Sequence, residues 1–185
     1  MREPGKPSLE LAGSLLLAHP AMRDPNFRRS VVLLSSHGND GAMGVVLNRP
    51  LGKRLGDLNA QFAASTLAAV PVYQGGPVQT KQLILAAWQP DPLATGYRLY
   101  FGIDVDKAEM LKAEDGVKLR AFLGYSGWGK GQLEMELRHN TWVITPVSPE
   151  LLDQVEGQGL WRSILGGLSP EWKLMADEPE DPGAN

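Results

Sequence analysis

The chain has 185 residues, 43% hydrophobic and 21% charged, with a formal net charge of −3. These proportions are ordinary for a soluble globular protein with one core, and the slight acidity argues against the concentrated basic face of a dedicated DNA binder, so no specific DNA binding is expected. There is no cysteine, which excludes disulfides, thiolate metal sites and cysteine nucleophiles.

Met1–Ser8 carries two prolines, a glycine and charges and reads as a mobile arm. It lacks the apolar centre of a signal peptide. Leu9–Ala18 is too short and too interrupted for a membrane span, which needs about 20 apolar residues. The expectation is a soluble, cytoplasmic protein with no membrane association, a single domain over 1–185 and an ordered core from about 9 to about 176.

Gly13–Ala18 and Ser30–His37 read as buried strands, short and apolar between turn residues. Gly38-Asn39-Asp40-Gly41 is a turn that joins the second to Ala42–Asn48 as a hairpin. Arg54–Leu67 is expected to be helical, interrupted near Ser65-Thr66. Val72–Gln74 and Leu83–Trp88 are strands separated by the turn Gly75-Gly76-Pro77, and Tyr97–Gly102 is another. Asp104 caps a helix running to about Ala113, because its carboxylate accepts first-turn amides. Lys118–Tyr125 returns as a strand, Gln132–Arg138 as a helix and Thr141–Thr145 as a strand. Pro149–Gln154 and Leu160–Leu168 read as short helices, the latter with an apolar stripe of Trp161, Ile164 and Leu165. The tail Asp177–Asn185 is acidic, proline-bearing and expected to be disordered. Hairpins dominate and strands only intermittently alternate with helices, which favours α+β.

The polar residues Asp24, Asn26, Arg28, Arg29, His37, Asn39, Asp40, Asn48 and Arg49 gather at the ends of the first three strands, where a rigid backbone can present a cleft. Other motifs fail on single residues. Gly124–Gly131 nearly spells a P-loop, but Gly131 stands where the magnesium-binding Ser or Thr is needed. A tight glycine turn is the favoured reading, ahead of an anion site at the Gln132 helix start aided by Lys130. Ser126 resembles a nucleophile elbow, but Trp128 replaces the required glycine. His19, His37 and His139 lack metal-ligand spacing, and no cofactor is implied. Trp128, Trp142, Trp161 and Trp172 read as packing residues, since no basic segment surrounds them.

Four of these segments resemble the YqgE/AlgH family. Leu16–Met22 with Asp24–Val32 is similar to its N-terminal signature, continued by His37, Asp40–Gly44 and Leu47–Pro50. Tyr73–Val78 is similar to its central glycine turn. Phe122–Trp128 followed by Gly131–Glu134 is similar to its C-terminal signature, with Trp142 and Pro146 also in place. Ser126 departs from the expected alanine, and Lys130 lies at a variable position.

The resemblance implies an α+β fold with a mixed, bifurcated sheet, a small barrel-like portion and surrounding helices. It implies no established activity. Members are often labelled transcriptional regulators, a label these residues do not support mechanistically. Carried over position by position, the polar motif residues are Asp24, Arg29, His37, Asn48, Arg49, Gln132 and Glu134, with Trp128 beside them. They either line a cleft for a small anionic ligand or a partner, or form a buried network that holds the fold. In the first case Arg29 and Arg49 supply charge-assisted hydrogen bonds. The alternatives are a regulator acting through protein contacts and an enzyme with His37 or Glu134 as the acid–base group.

Overall fold

The computed structural model describes residues 11–91, 93, 96–147 and 156–179. The expected helix Pro149–Gln154, the N-terminal arm and most of the acidic tail lie outside these residues. The strands are β1 Ser14–Ala18, β2 Val31–Gly38, β3 Gly41–Val46, β4 Pro50–Arg54, β5 Pro71–Gln74, β6 Val78–Pro90, β7 Tyr97–Phe101, β8 Lys118–Gly129 and β9 Trp142–Pro146. The helices are α1 Leu55–Leu58, α2 Ala60–Ala63, α3 Val105–Lys112, α4 Gln132–Arg138, α5 Gln158–Leu168 and α6 Pro170–Asp177.

After Ser14, β1 is apolar because both its faces are covered. Leu15 and Leu17 enter a cluster with Val31, Leu33, Val45, Trp161, Ile164 and Leu165. Leu16 and Ala18 point the other way, to Val32, Leu34, Trp128 and Trp142. The strand is flanked by β2 (Leu16 opposite Val32) and β9 (Leu16 opposite Ile144), both antiparallel. β2 and β3 form the expected hairpin, with Gly38 opposite Gly41.

The sheet is mixed and runs β4-β5-β8-β3-β2-β1-β9, with β6 and β7 branching from β8. β8 is the fork. Its first half pairs in parallel with β5 (Val72 opposite Ala121) and antiparallel with β6 (Leu85 opposite Ala121). Its last residues pair with β3 (Ala42 opposite Trp128). The fold is therefore α+β with a bifurcated sheet, and the sheet does not close into a barrel, since its path runs from β4 at one end to β9 at the other.

The fork depends on two glycines. Gly124 bends β8 at φ 75°, and a Cβ there would lie 2.6 Å from the Gly76 carbonyl oxygen. Gly76, at φ 155°, would place a Cβ 2.2 Å from the Tyr125 oxygen. Only hydrogen fits at this crossing, and φ in this range disfavours other residues.

Several elements differ from the sequence expectation. The helix expected over Arg54–Leu67 is two single turns, α1 and α2, broken at Asn59, whose side chain accepts the Gln61 amide. β4 was not expected. It is exposed along its whole length, so no buried face marks it. β6 begins at Val78 rather than Leu83, because the polar run 79–82 bulges out between Val78 (opposite Tyr125) and Leu83 (opposite Leu123). The glycine-rich segment after Tyr125 stays in β8 as far as Gly129, so the expected turn shrinks to Lys130-Gly131. α6 was also missed, and it takes in Asp177 of the expected tail. Ser169 caps it by accepting the Trp172 amide, with Pro170 in its first turn. The stripe Trp161, Ile164, Leu165 is buried as expected, and Asp104 caps α3 through the Lys107 amide. Among the described residues no helix is long and apolar enough to cross a membrane.

Candidate functional site

The first cluster forms where the chain turns between β1 and β2. Asp24 accepts the Asn26 amide on its carboxylate at 2.8 Å, and its carbonyl accepts the Phe27 and Arg28 amides at 3.0 and 2.8 Å. Such Asx turns are a local habit of aspartate. Arg29 completes the turn in the left-handed region, φ 52°.

Asn48, just past β3, locks this turn to the rest of the fold. Its Oδ1 accepts the Val31 amide at 2.9 Å. Its Nδ2 donates to the Arg29 carbonyl at 2.9 Å and to the Gly157 carbonyl at 3.0 Å. The side chain is buried, and both amide hydrogens are spent on main-chain carbonyls. Asn48 therefore ties the turn, the start of β2 and the start of α5 together.

A pocket of about 260 Å³ opens beside this bracket, lined by Arg28, Arg29 and Arg49 together with Pro25, Asn48, Gly157 and Gln158. Arg49 Nη2 donates to the Arg28 carbonyl at 3.2 Å. Arg29 Nη2 donates to the Glu178 carbonyl at 2.6 Å, and its guanidinium lies 5.3 Å from the centre of the Trp161 ring. Burial, then the neighbouring Arg28 charge, hold the Arg49 pKa below its ordinary value, with Asp24 acting in the opposite sense. α5 begins at this pocket with Gly157 as its cap, a residue with no side chain to offer its first turn.

The second cluster lies around α4. His37 and Glu134 share a 2.6 Å hydrogen bond between Nε2 and Oε1, while His37 Nδ1 accepts the Leu11 amide at 3.4 Å. That acceptor role assigns the ring proton to Nε2, so the histidine is the donor to Glu134. The Glu134 carboxyl is held below the usual range, first by its own amide at the helix start and then by His37. Next to this pair, Trp128 Nε1 and Trp142 Nε1 both donate to Glu136 Oε2 at 2.8 Å. Gln132 donates to the other Glu136 oxygen at 3.2 Å and accepts the Gly129 amide at 3.0 Å. Phe27 packs on both indoles, with ring centres 6.3 and 5.7 Å away.

Residues 15–173 match the AlgH-like family profile, DUF179. The chain belongs to the AlgH-like family. This AlgH-like chain is 38% identical to the UPF0301 protein SCO2948 of Streptomyces coelicolor, over 95% of each chain. It is 34% identical to a UPF0301 protein of Parabacteroides distasonis, covering 96% of this chain and 92% of the relative. Among solved structures it resembles the AlgH protein of Pseudomonas aeruginosa, with 27% identity and a TM-score of 0.65 over 96% of this chain and 98% of that one. Protein DIP2367 of Corynebacterium diphtheriae shares the fold, with 21% identity and a TM-score of 0.71 over 96% and 95% of the two chains.

In this AlgH-like fold the sequence-selected polar residues fall in two places. Arg29, Asn48 and Arg49 share the pocket, with Asp24 acting on Arg49 through space. His37 and Glu134 form one pair, and Trp128 and Gln132 converge on Glu136; none of these four lines that pocket. Sequence reasoning named Arg28 among the polar residues at the strand ends but not among the family-motif positions, and it left out Gly157 and Gln158 as pocket residues and Glu136 as the acceptor of two indoles. The Arg28-Arg29 doublet was a visible sign of the pocket. Nothing local marked Gly157, which meets Asn48 from 109 positions along the chain. Ser126 is fully buried and its hydroxyl donates to the Gly75 carbonyl at 3.1 Å, so it fastens the strand crossing. Among the described residues no group of three or more His, Cys, Asp or Glu side chains is arranged to hold a metal ion.

Proposed function

We propose that this protein binds a small anionic ligand in the pocket walled by Arg28, Arg29 and Arg49. The observation that carries the reading is that three arginines, Arg28, Arg29 and Arg49, line one cavity of about 260 Å³. Burial is the main cause of the lowered Arg49 pKa and the neighbouring Arg28 charge adds to it, a cost of holding the cation in the empty site. An anion relieves it through charge-assisted, forked hydrogen bonds. Asn48 contributes by positioning, because its amide is committed to the main chain on either side of the cavity.

The hydrogen bonds of His37, Glu134, Gln132 and Trp128 support a holding role for the second cluster, fastening α4 to β2, β8 and β9.

The test is a thermal-shift titration with inorganic phosphate, sulfate and citrate at constant ionic strength. A ligand that binds only the folded state raises the melting temperature by mass action. Saturable stabilisation by at least one anion is expected, and it disappears in Arg49→Gln while the fold is kept. No saturable shift with any of the three, or an equal shift in Arg49→Gln, refutes the reading.

A further inference from the structure

We propose that this chain pairs with a second copy of itself through the open edge of β7, in an antiparallel register centred on Leu99.

Among the described residues β7 is bonded to β6 alone, so its other edge has no strand beside it. The phase of the ladder decides which groups face outward. The Asp91 amide donates to the Gly96 carbonyl at 3.0 Å, and the Gly102 amide to the Leu85 carbonyl at 2.9 Å. Bonded pairs alternate along an antiparallel ladder, so the bonded pairs between these two are Gln89–Arg98 and Ala87–Tyr100. Tyr97, Leu99 and Phe101 therefore turn their N–H and C=O groups away from β6. No residue of β7 is fully buried.

The other two ends of the sheet are blunted. The His19 amide donates to the Thr141 carbonyl, and the same alternation puts Pro146 of β9 at an outward position, where it has no N–H to offer. β4 carries Pro50, Gly52 and Lys53, and its register slips between Pro50 and Lys53. β7 contains no proline, glycine or lysine, and its Tyr97, Tyr100 and Phe101 favour extended backbone.

Self-complementarity selects the occupant. A two-fold axis at Leu99 sets Leu99 opposite Leu99, and Tyr97 opposite Phe101 of the second copy on either side. All three outward residues then find partners, each facing pair exchanging two main-chain hydrogen bonds. Registers centred on Arg98 or on Tyr100 keep only two such pairs, and the first sets like charges directly opposite each other. In the Leu99 register Arg98, the one charged residue of the strand, stands opposite Tyr100 instead. Leu99 and Phe101 already pack on the cluster that holds Ile84 and Trp88, and the facing copies extend that apolar layer across the join. The two β6–β7 branches merge into one continuous sheet.

Sedimentation equilibrium of the full chain from about 10 µM to about 1 mM tests the pairing. The mass is expected to rise from 20.1 kDa toward twice that value, with a Kd on the order of 100 µM because the edge is short. Leu99→Lys and Leu99→Glu, each first shown to be folded by circular dichroism, are expected to weaken association at least about ten-fold, since like charges then meet on the axis. An equimolar mixture of the two is expected to restore it, because opposite charges then meet at position 99. Tyr97→Pro removes an outward N–H that is not bonded to β6, and it is expected to weaken association while the fold is kept. Leu51→Lys, on exposed β4, is expected to leave association unchanged. A wild type that stays at 20.1 kDa up to about 1 mM overturns the proposal. So does association that Tyr97→Pro and the folded Leu99 variants leave unchanged, or that Leu51→Lys abolishes. A mixture no heavier than its two components overturns the register centred on Leu99.

Discussion

Replacing Asn48 with alanine removes three hydrogen bonds at one stroke. Its Oδ1 is the partner of the Val31 amide, which belongs to a residue with no solvent exposure. Stranding that N–H costs about 1–3 kcal/mol. The Arg29 and Gly157 carbonyls also lose their donor, but both residues are only partly buried and can turn to water. Each adds about 0.5 kcal/mol. The sum is about 2–4 kcal/mol, and for a chain of this size about 2–4 °C of melting temperature is lost per kcal/mol. Asn48→Ala is thus expected to melt roughly 4–16 °C below wild type by calorimetry. Asn48→Asp is the sharper probe. It keeps an acceptor for Val31 but turns a carboxylate toward two carbonyl oxygens, so it is expected to be at least as damaging. Should Asn48→Ala melt within about 2 °C of wild type, or Asn48→Asp prove harmless, Asn48 is not the bracket between the turn and α5.

Glu136→Ala strands two buried indole N–H groups, of Trp128 and Trp142. It is expected to lower stability in denaturant titrations by about 2–4 kcal/mol and to change the tryptophan fluorescence of the folded state. The Glu134 carboxyl, held below its ordinary value in the folded protein, contributes stability at neutral pH that is lost as pH falls below the unfolded value of about 4.5 toward the folded one. The stability gap between wild type and Glu134→Gln is therefore expected to be present at pH 7 and to narrow in acid; a gap constant from pH 7 to about pH 3 contradicts the lowering of this carboxyl by its own amide and His37. Gly76→Ala places a methyl group 2.2 Å from the Tyr125 oxygen and is expected to abolish soluble expression. Gly127→Ala meets nothing nearer than 3.7 Å and is expected to express and melt like wild type, which separates the crossing from the strand that contains it.

What sequence could reveal followed from how local each signal was. The runs Leu15–Leu17 and Val31–Leu34 announced themselves because both faces of each strand are covered. β4 has no buried face, so its residues carry no pattern. The segment Gly124–Gly129 reads as a turn by composition, yet it continues strand β8: Gly124 is demanded by the Gly76 carbonyl, whereas Gly127, paired with Met43, meets nothing nearer than 3.7 Å. The site followed the same rule. Residue types in the Asp24–Arg49 stretch pointed to a polar locus, and four of them, Arg28, Arg29, Asn48 and Arg49, do share a pocket. That His37 turns to Glu134, and that Asn48 reaches Gly157, depends on strand order and helix placement. These are long-range pairings that no single motif encodes.

β8 has a consequence for the order of synthesis. It supplies a neighbour to β3, β5 and β6, although all three precede it in the chain. Until residues 118–129 have emerged, each of those strands presents a row of unpaired amides and carbonyls, the kind of edge that recruits other chains. Fragments ending before Lys118 should therefore associate through their edges, and a nascent chain has about 70 residues to shelter between the completion of β3 and the arrival of β8. Its dependence on a late strand makes this family fold a natural client for whatever shields exposed edges during translation.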